Sequence, residues 1–294
     1  MKIIDLHTHG ISGIDTASAN EDDMLAIAGM QGSSGVAEIV LAVYPSSVEN
    51  MRRNIGFVSK AMERQRTLAD NKSAAKIIGV HLEGPFLNPS KCGALDAGSF
   101  LVPDLSVLRE IVEGFEDIIR IMTIAPELEN ASGVIRAMSD MGIIASMGHS
   151  DATYAEAEQG YHAGARGITH IFNAMRGIHH REPGLAGFGL MNRDIYIEVI
   201  ADPFHLDSKI IEFIFSTKDP ERIIIVSDTV KETGAGGASR AVITGGEGRL
   251  LGGSLTIMEA ADRLIRNGLE GETVMKAVSV NPARYLGSAK GGHE

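Results

Sequence analysis

The chain has a single cysteine, Cys92, in 294 residues. No intrachain disulfide can form, which predicts a protein stabilised by its core in a reducing compartment. Long apolar runs are also missing. None approaches the roughly 18–20 residues needed to cross a bilayer. The first residues carry neither the basic nor the apolar stretch of a signal peptide, and a cytoplasmic location is expected. Basic residues are few, 27 Lys and Arg against 38 Asp and Glu, for a net charge of −11. That balance argues against nucleic acid or an anionic membrane as partner. A small anionic substrate, held by a few local donors, stays open.

Apolar residues make up 44% of the chain, enough for a sizeable core. Short Ile- and Val-rich runs recur along it: Lys2–Leu6, Ala37–Val43, Lys76–Leu82, Ile118–Ile124, Gly142–Met147, Gly167–Ile171, Ile195–Ile200 and Arg222–Val226. Most lack polar alternation, as strands buried on both faces of a parallel sheet do. Helical patterns at Ser46–Arg66, Ser106–Gly114, Ala131–Met141, Ala152–Ala163 and Ser208–Ser216 separate most of them, and Thr256–Asn267 and Glu272–Leu286 follow. The boundaries in Val36–Thr67 and Asn71–Ile77 are the least defined. Eight strands alternating with helices predict an α/β fold, a (β/α)8 TIM barrel, as one catalytic domain over 1–294. No internal repeat, low-complexity segment or linker interrupts the alternation.

A barrel of this kind carries its chemistry at the C-terminal ends of the strands. Asp5-Leu6-His7-Thr8-His9-Gly10 ends the first run, and residues two apart on a strand share a face, so His7 and His9 sit side by side. Glu83 ends the third run, His149 the fifth, His170 the sixth and Asp228 the eighth. Singly, each has a plain reading: a hydrogen-bonded strand-end histidine, a helix cap at Asp228, a turn at Glu83. Jointly, four imidazoles and two carboxylates on one rim predict a divalent metal site. Zinc is the first choice, with iron or manganese as alternatives. His81 shares Glu83's face and is expected behind the ligands. A bound ion brings the pKa of its water toward neutrality. Asp228 is the candidate to take that proton and pass it on. The chemistry is hydrolysis at a carbonyl-type centre.

These residues resemble the amidohydrolase superfamily, and within it the N-acetylglucosamine-6-phosphate deacetylase family. The resemblance runs from Asp5 to about Leu286. It rests on His-Leu-Glu-Gly-Pro-Phe at 81–86, Gly-His-Ser at 148–150, Thr-His-Ile-Phe-Asn-Ala-Met at 169–175 and His-His-Arg-Glu-Pro-Gly at 179–184. Ala-Asp-Pro-Phe-His-Leu-Asp at 201–207 and Val-Ser-Asp at 226–228 add to it. It implies Glu83, His149 and His170 as core metal ligands and Asp228 as the acid/base. It also implies that Asn173, Ala174 and Arg181 meet a sugar phosphate, in some members with the arginine crossing a dimer interface, and that His205 meets the sugar. His180 is a weaker candidate for the phosphate. The implied reaction removes the N-acetyl group from an amino-sugar phosphate.

Three departures from the family pattern stand out. The accessory β-sandwich that family members build from segments flanking the barrel is expected to be absent. The loop histidine that polarises the amide carbonyl is matched by Leu95. Pro203-Phe204 replaces a glycine-containing pair before His205. Other readings therefore stay open: a deacylase of another small N-acyl substrate, or a sugar-phosphate-binding relative without activity. With Leu95 unable to donate, a second ion held by His7 and His9 and bridged by Glu83 is expected. One ion at Glu83, His149 and His170 is the alternative. A homodimer is expected as well, since symmetric dimers are the commonest oligomers.

Overall fold

The computed structural model describes residues 1–17, 20–67, 73–234, 243–245 and 248–288. The boundary expected at Asn71 and the last six residues of the expected domain lie outside the described residues. Eight parallel strands form one sheet in chain order: β1 (Ile4–Thr8), β2 (Glu38–Val43), β3 (Lys76–Leu82), β4 (Ile119–Ile124), β5 (Ile144–Met147), β6 (Gly167–Ile168), β7 (Tyr196–Ile200) and β8 (Ile223–Val226). Each is followed by a helix: α1 (Glu21–Ser33), α2 (Val48–Thr67), α3 (Leu105–Val112), α4 (Ala131–Asp140), α5 (Tyr154–Ala163), α6 (Gly184–Met191), α7 (Ser208–Thr217) and α8 (Ile257–Arg266). Two more, α9 (Gly271–Ala277) and α10 (Val280–Gly287), end the described chain. This is the expected (β/α)8 barrel. Among the described residues no helix is long and apolar enough to cross a membrane.

The barrel closes where the first strand meets the last. Asp228 N donates to His7 O at 2.9 Å, and His9 N donates to Thr229 O at 2.8 Å. The hydroxyls of Thr8 and Thr229 meet at 2.6 Å, and Gln31 Nε2 of α1 donates to both at 3.0 Å. Lower in the seam, the Asp5 carboxylate accepts from Ser227 N at 3.2 Å. These side-chain bonds replace part of the regular ladder, and all of the groups are buried.

Several helix starts are fixed locally. Asn20, Thr153 and Thr256 each form a capping box with an acidic residue three positions on, satisfying free N–H groups of the first turn. Two helices were missing from the sequence reading. In α1 the buried stripe Met24, Ile27, Ala28, Gln31 has helical spacing, but its last member is polar because it clamps the seam. In α6 every residue but Met191 is buried and three are glycine, so no amphipathic contrast exists. The single helix expected over Glu272–Leu286 is two, with Ser279 between them.

The apolar core has two parts. A large one lies between the barrel and its helices. A smaller one fills the barrel interior with Ile4, Leu6, Val40, Ile121, Val226 and Tyr285 among others. Tyr285 of α10 is fully buried, and it leaves space only for a hydrogen at Gly167. A Cβ there would lie 1.8 Å from the Tyr285 hydroxyl and 3.1 Å from Ser146 Oγ. Gly167→Ala should therefore destabilise the fold by about 1–3 kcal/mol, as overpacked cores do. A urea midpoint unchanged from the wild type would contradict this packing.

Candidate metal centre

Glu83 follows β3 directly, held there by its N–H donating to Val43 O at 3.1 Å. His149, His170 and Asp228 each lie two residues beyond the end of a strand. All three have left-handed backbone, with φ of 46°, 30° and 49°. A non-glycine residue in that region costs roughly 1–2 kcal/mol. The same local turn at three strand ends carries these side chains over the barrel mouth, where they meet Glu83 and the β1 pair His7 and His9. All six are buried.

The Glu83 carboxylate is the centre of the cluster. Its Oε1 lies 3.0 Å from both His149 Nε2 and His170 Nε2, which are 3.1 Å apart. Its Oε2 lies 3.2 Å from His9 Nε2, itself 3.1 Å from His7 Nε2. Asp228 Oδ1 stands 3.6 Å from the Nε2 atoms of both His7 and His9. Among the described residues three triads have metal-ligand spacing: His7–His9–Glu83 and Glu83–His149–His170, which share Glu83, and His7–His81–Glu198 beneath them.

The donor chemistry fits a cation. His149 Nδ1 donates to Lys91 O at 2.9 Å, which turns its Nε2 toward Glu83. Burial lowers the His7 imidazole to about 4, against the pull of Asp228 and Glu83, so it is neutral at pH 7. Burial alone would raise the Glu83 carboxyl, but hydrogen bonds from His149, His170 and His9 hold it well below the usual range. Burial alone would lower His170, but Glu83 outweighs it and raises the imidazole to about 9. A buried carboxylate ringed by four imidazoles gathers negative charge and ligand nitrogens at one point, a donor set that suits a divalent cation.

Below the cage, Glu198 Oε2 lies 3.5 Å from His7 Nδ1. His81 contacts Leu6 O at 3.3 Å and Thr123 Oγ1 at 2.9 Å. Thr169 links Thr123 to Ser146, at 2.9 and 2.7 Å. These four positions tie β3, β4, β6 and β5 together under the ligands.

Above it opens a cavity of about 420 Å3. Asn173, Ala174 and His205 line it with the ligands, as does Leu95. His205 Nδ1 lies 3.0 Å from Asp202 Oδ2, which also accepts from Ser254 N at 2.9 Å. Donating from Nδ1 leaves His205 Nε2 as an acceptor. His180 and Arg181 do not line the cavity. Both are exposed, and the neighbouring Glu182 accepts from Tyr154 N and Gly184 N at 2.7 and 3.0 Å. Cys92 lines the cavity rim, its thiol 3.7 Å from Gly93 O.

Three residues of this region were absent from the sequence reading. Glu198 is a lone carboxylate inside the apolar run Tyr196–Ile200, a visible signal of a buried charge. Asp202 stands three residues before His205. Tyr44 follows β2 at the rim, stacked on His9 with ring centroids 3.9 Å apart and planes 13° from parallel.

The chain matches the amidohydrolase family over residues 2–293. It is 30% identical to N-acetylglucosamine-6-phosphate deacetylase of Bos taurus, over 98% of this chain and 74% of that protein. It is 27% identical to N-acetylgalactosamine-6-phosphate deacetylase of Escherichia coli O157:H7, over 97% and 77%. Among solved structures, N-acetyl-D-glucosamine-6-phosphate deacetylase from Mycobacterium smegmatis is similar with a TM-score of 0.86 and 29% identity, over 97% of this chain and 77% of that one. That protein is an aspartate-to-alanine mutant in complex with N-acetyl-D-glucosamine-6-phosphate.

The support of His205 has a pH signature. Burial alone would raise the Asp202 carboxyl, but its hydrogen bonds from His205 and Ser254 hold it well below the usual carboxylate range. The folded pKa is depressed, so the stabilisation is complete above the unfolded value of about 4 and is lost as pH falls toward the folded one. Asp202→Asn should cost about 1.5–3 kcal/mol at pH 7, the scale of hydrogen bonds to a charged group. The gap should narrow below pH 4. Denaturation midpoints that differ equally at pH 7 and pH 3 would refute this.

Proposed function

The chain belongs to the amidohydrolase family, and from its site we propose that it removes the N-acetyl group of an amino-sugar phosphate, converting N-acetylglucosamine-6-phosphate and water to glucosamine-6-phosphate and acetate. The observation that carries this reading is the shared-carboxylate cage opening into a cavity walled by Asn173, Ala174 and His205. The relatives named above support the substrate class, and the galactosamine relative makes the choice of epimer a matter for assay.

His7, His9, Glu83, His149 and His170 are read as the metal ligands, with Asp228 beside them, and zinc as the metal. When bound there, a divalent ion would supply Lewis-acid polarisation of the amide carbonyl and a water of lowered pKa. Asp228 takes the proton of the attacking water and returns it to the nitrogen as the C–N bond breaks, so the sugar leaves as an amine. Its carboxylate reaches the cage from the end of β8, 3.6 Å from the Nε2 atoms of His7 and His9. His205 Nε2 accepts from a sugar hydroxyl, and Asn173 and Ala174 lie at the phosphate end. Arg181 is exposed away from this chain's own cavity, so its reading as a phosphate ligand requires a second copy, in a homodimer. We read residues 1–294 as one catalytic barrel domain acting in the cytoplasm. Two ions are favoured because Glu83 belongs to two triads.

Acetate release over a panel of N-acetylhexosamines, with and without a 6-phosphate, tests the reading. The phosphorylated sugars should have much the higher kcat/KM, and equal values would reject the phosphate. Asp228→Asn should bind metal and sugar normally while kcat falls about 100- to 10,000-fold, the range of general acid–base catalysis. Activity within threefold of wild type would remove Asp228 from that role. In a His7→Ala/His9→Ala variant, metal content should drop by one equivalent together with a large fall in kcat. One equivalent in fully active wild type would reject the two-ion reading.

A further inference from the structure

Hydrolysis of an amide places negative charge on the carbonyl oxygen, and a preorganised donor at that oxygen is often a large catalytic contribution. At the loop position where the family resemblance expects a donating histidine, this chain has Leu95, whose side chain lines the cavity and donates nothing. The other polar side chains on the cavity wall are already engaged. Ser90 Oγ donates to Asn88 Oδ1 at 2.8 Å. Asn173 Nδ2 contacts His170 O and Ile171 O at 3.3 Å. Arg249 Nη1 donates to Gly93 O at 3.2 Å, at the outer rim. His205 is turned so that its cavity-side nitrogen accepts.

Tyr44 differs from these. It lines the same cavity as Leu95, Glu83 and Asp228. Its ring lies flat on His9, which fixes it against the cage. Its hydroxyl makes no hydrogen bond to a described residue. A phenol keeps its proton through the neutral range, so it is a donor under working conditions. Its position is set by the fold: it follows β2 directly and precedes Pro45, which restricts its backbone to extended conformations.

We propose that Tyr44 donates its phenolic hydrogen to the oxygen of the scissile acyl carbonyl, supplying from strand β2 the donor that Leu95 cannot supply from the loop. The proposal rests on the deacetylase reading. No proton is transferred in this step: the O–H bond of Tyr44 stays intact while the carbonyl oxygen gains charge and then loses it as the C–N bond breaks.

Tyr44→Phe keeps the stack on His9 and deletes only the hydroxyl. In the metal-loaded enzyme, kcat should fall about 100-fold or more, with KM within a few-fold of wild type. Metal content and thermal midpoint should be unchanged. Adding Leu95→His to Tyr44→Phe should recover at least tenfold in kcat, because the imidazole returns a donor to the same oxygen. A Tyr44→Phe enzyme within threefold of wild type would overturn the proposal. So would a loss of metal accompanying the loss of activity, which would make Tyr44 a positioning residue for His9, or a double variant with no recovery. If wild type releases no acetate from any N-acetylhexosamine, the deacetylase reading itself has failed, and that result is distinct from each of these.

Discussion

A single carboxylate sets the terms for the mouth of this barrel. Glu83 is buried and lies within 3.2 Å of three imidazole nitrogens, with a fourth at 3.7 Å. Removing a carboxylate from water is costly, and only well-placed partners offset it. Here the partners come from three other strands, so the charge is satisfied only when β1, β3, β5 and β6 stand in one arrangement. The left-handed backbone at His149, His170 and Asp228 belongs to the same constraint. Strain at each turn persists because the surrounding contacts over-determine it. The site is thus a property of the closed barrel, and no single segment possesses it.

The barrel interior is graded beneath that charge. Its floor is apolar, with Tyr285 and Leu286 of the last helix among the strand residues. Above the floor lie hydroxyls and His81, linked across neighbouring strands, and then Glu198 under His7. This layer gives His7 a carboxylate on its far side, with Glu198 Oε2 3.5 Å from its Nδ1. Outer groups of this kind orient metal ligands and set their tautomers. Burial therefore does two things at once here: it keeps His7 neutral, and it makes every remaining hydrogen bond matter more.

Much of this was legible in the sequence because strand-end positions are local. A run of Ile and Val followed by His, Glu or Asp is visible without knowing what lies beside it, and six such residues do converge. The fold was legible for the same reason, since parallel strands buried on both faces lack alternation. What was not legible depends on neighbours. Gln31 looks like the end of a weak helical stripe until β1 and β8 arrive on either side of it. Tyr44 is one aromatic residue after a strand until its ring meets His9. Asp202 has meaning only through His205 and Ser254. Helix α6 lacked a signal because both of its faces are covered. Arg181 was read from a motif, and a motif does not specify which copy of the chain its side chain faces.

The seam between β1 and β8 has a further consequence for how the chain comes into being. Thr8 and Thr229 are 221 residues apart, yet their hydroxyls meet beside the pair that carries His7 and His9. On the ribosome, that pair is made first and Asp228 close to last. Through most of synthesis the two histidines have no Glu83, or no closed wall behind them, to complete a cage. Contacts this distant in sequence are formed late, because ordering the intervening loop opposes them. All six residues of the cage therefore stand together only once the last strand docks. A chain cut before β8 would carry His7, His9, Glu83, His149 and His170 without Asp228 and without the seam that closes the barrel around them.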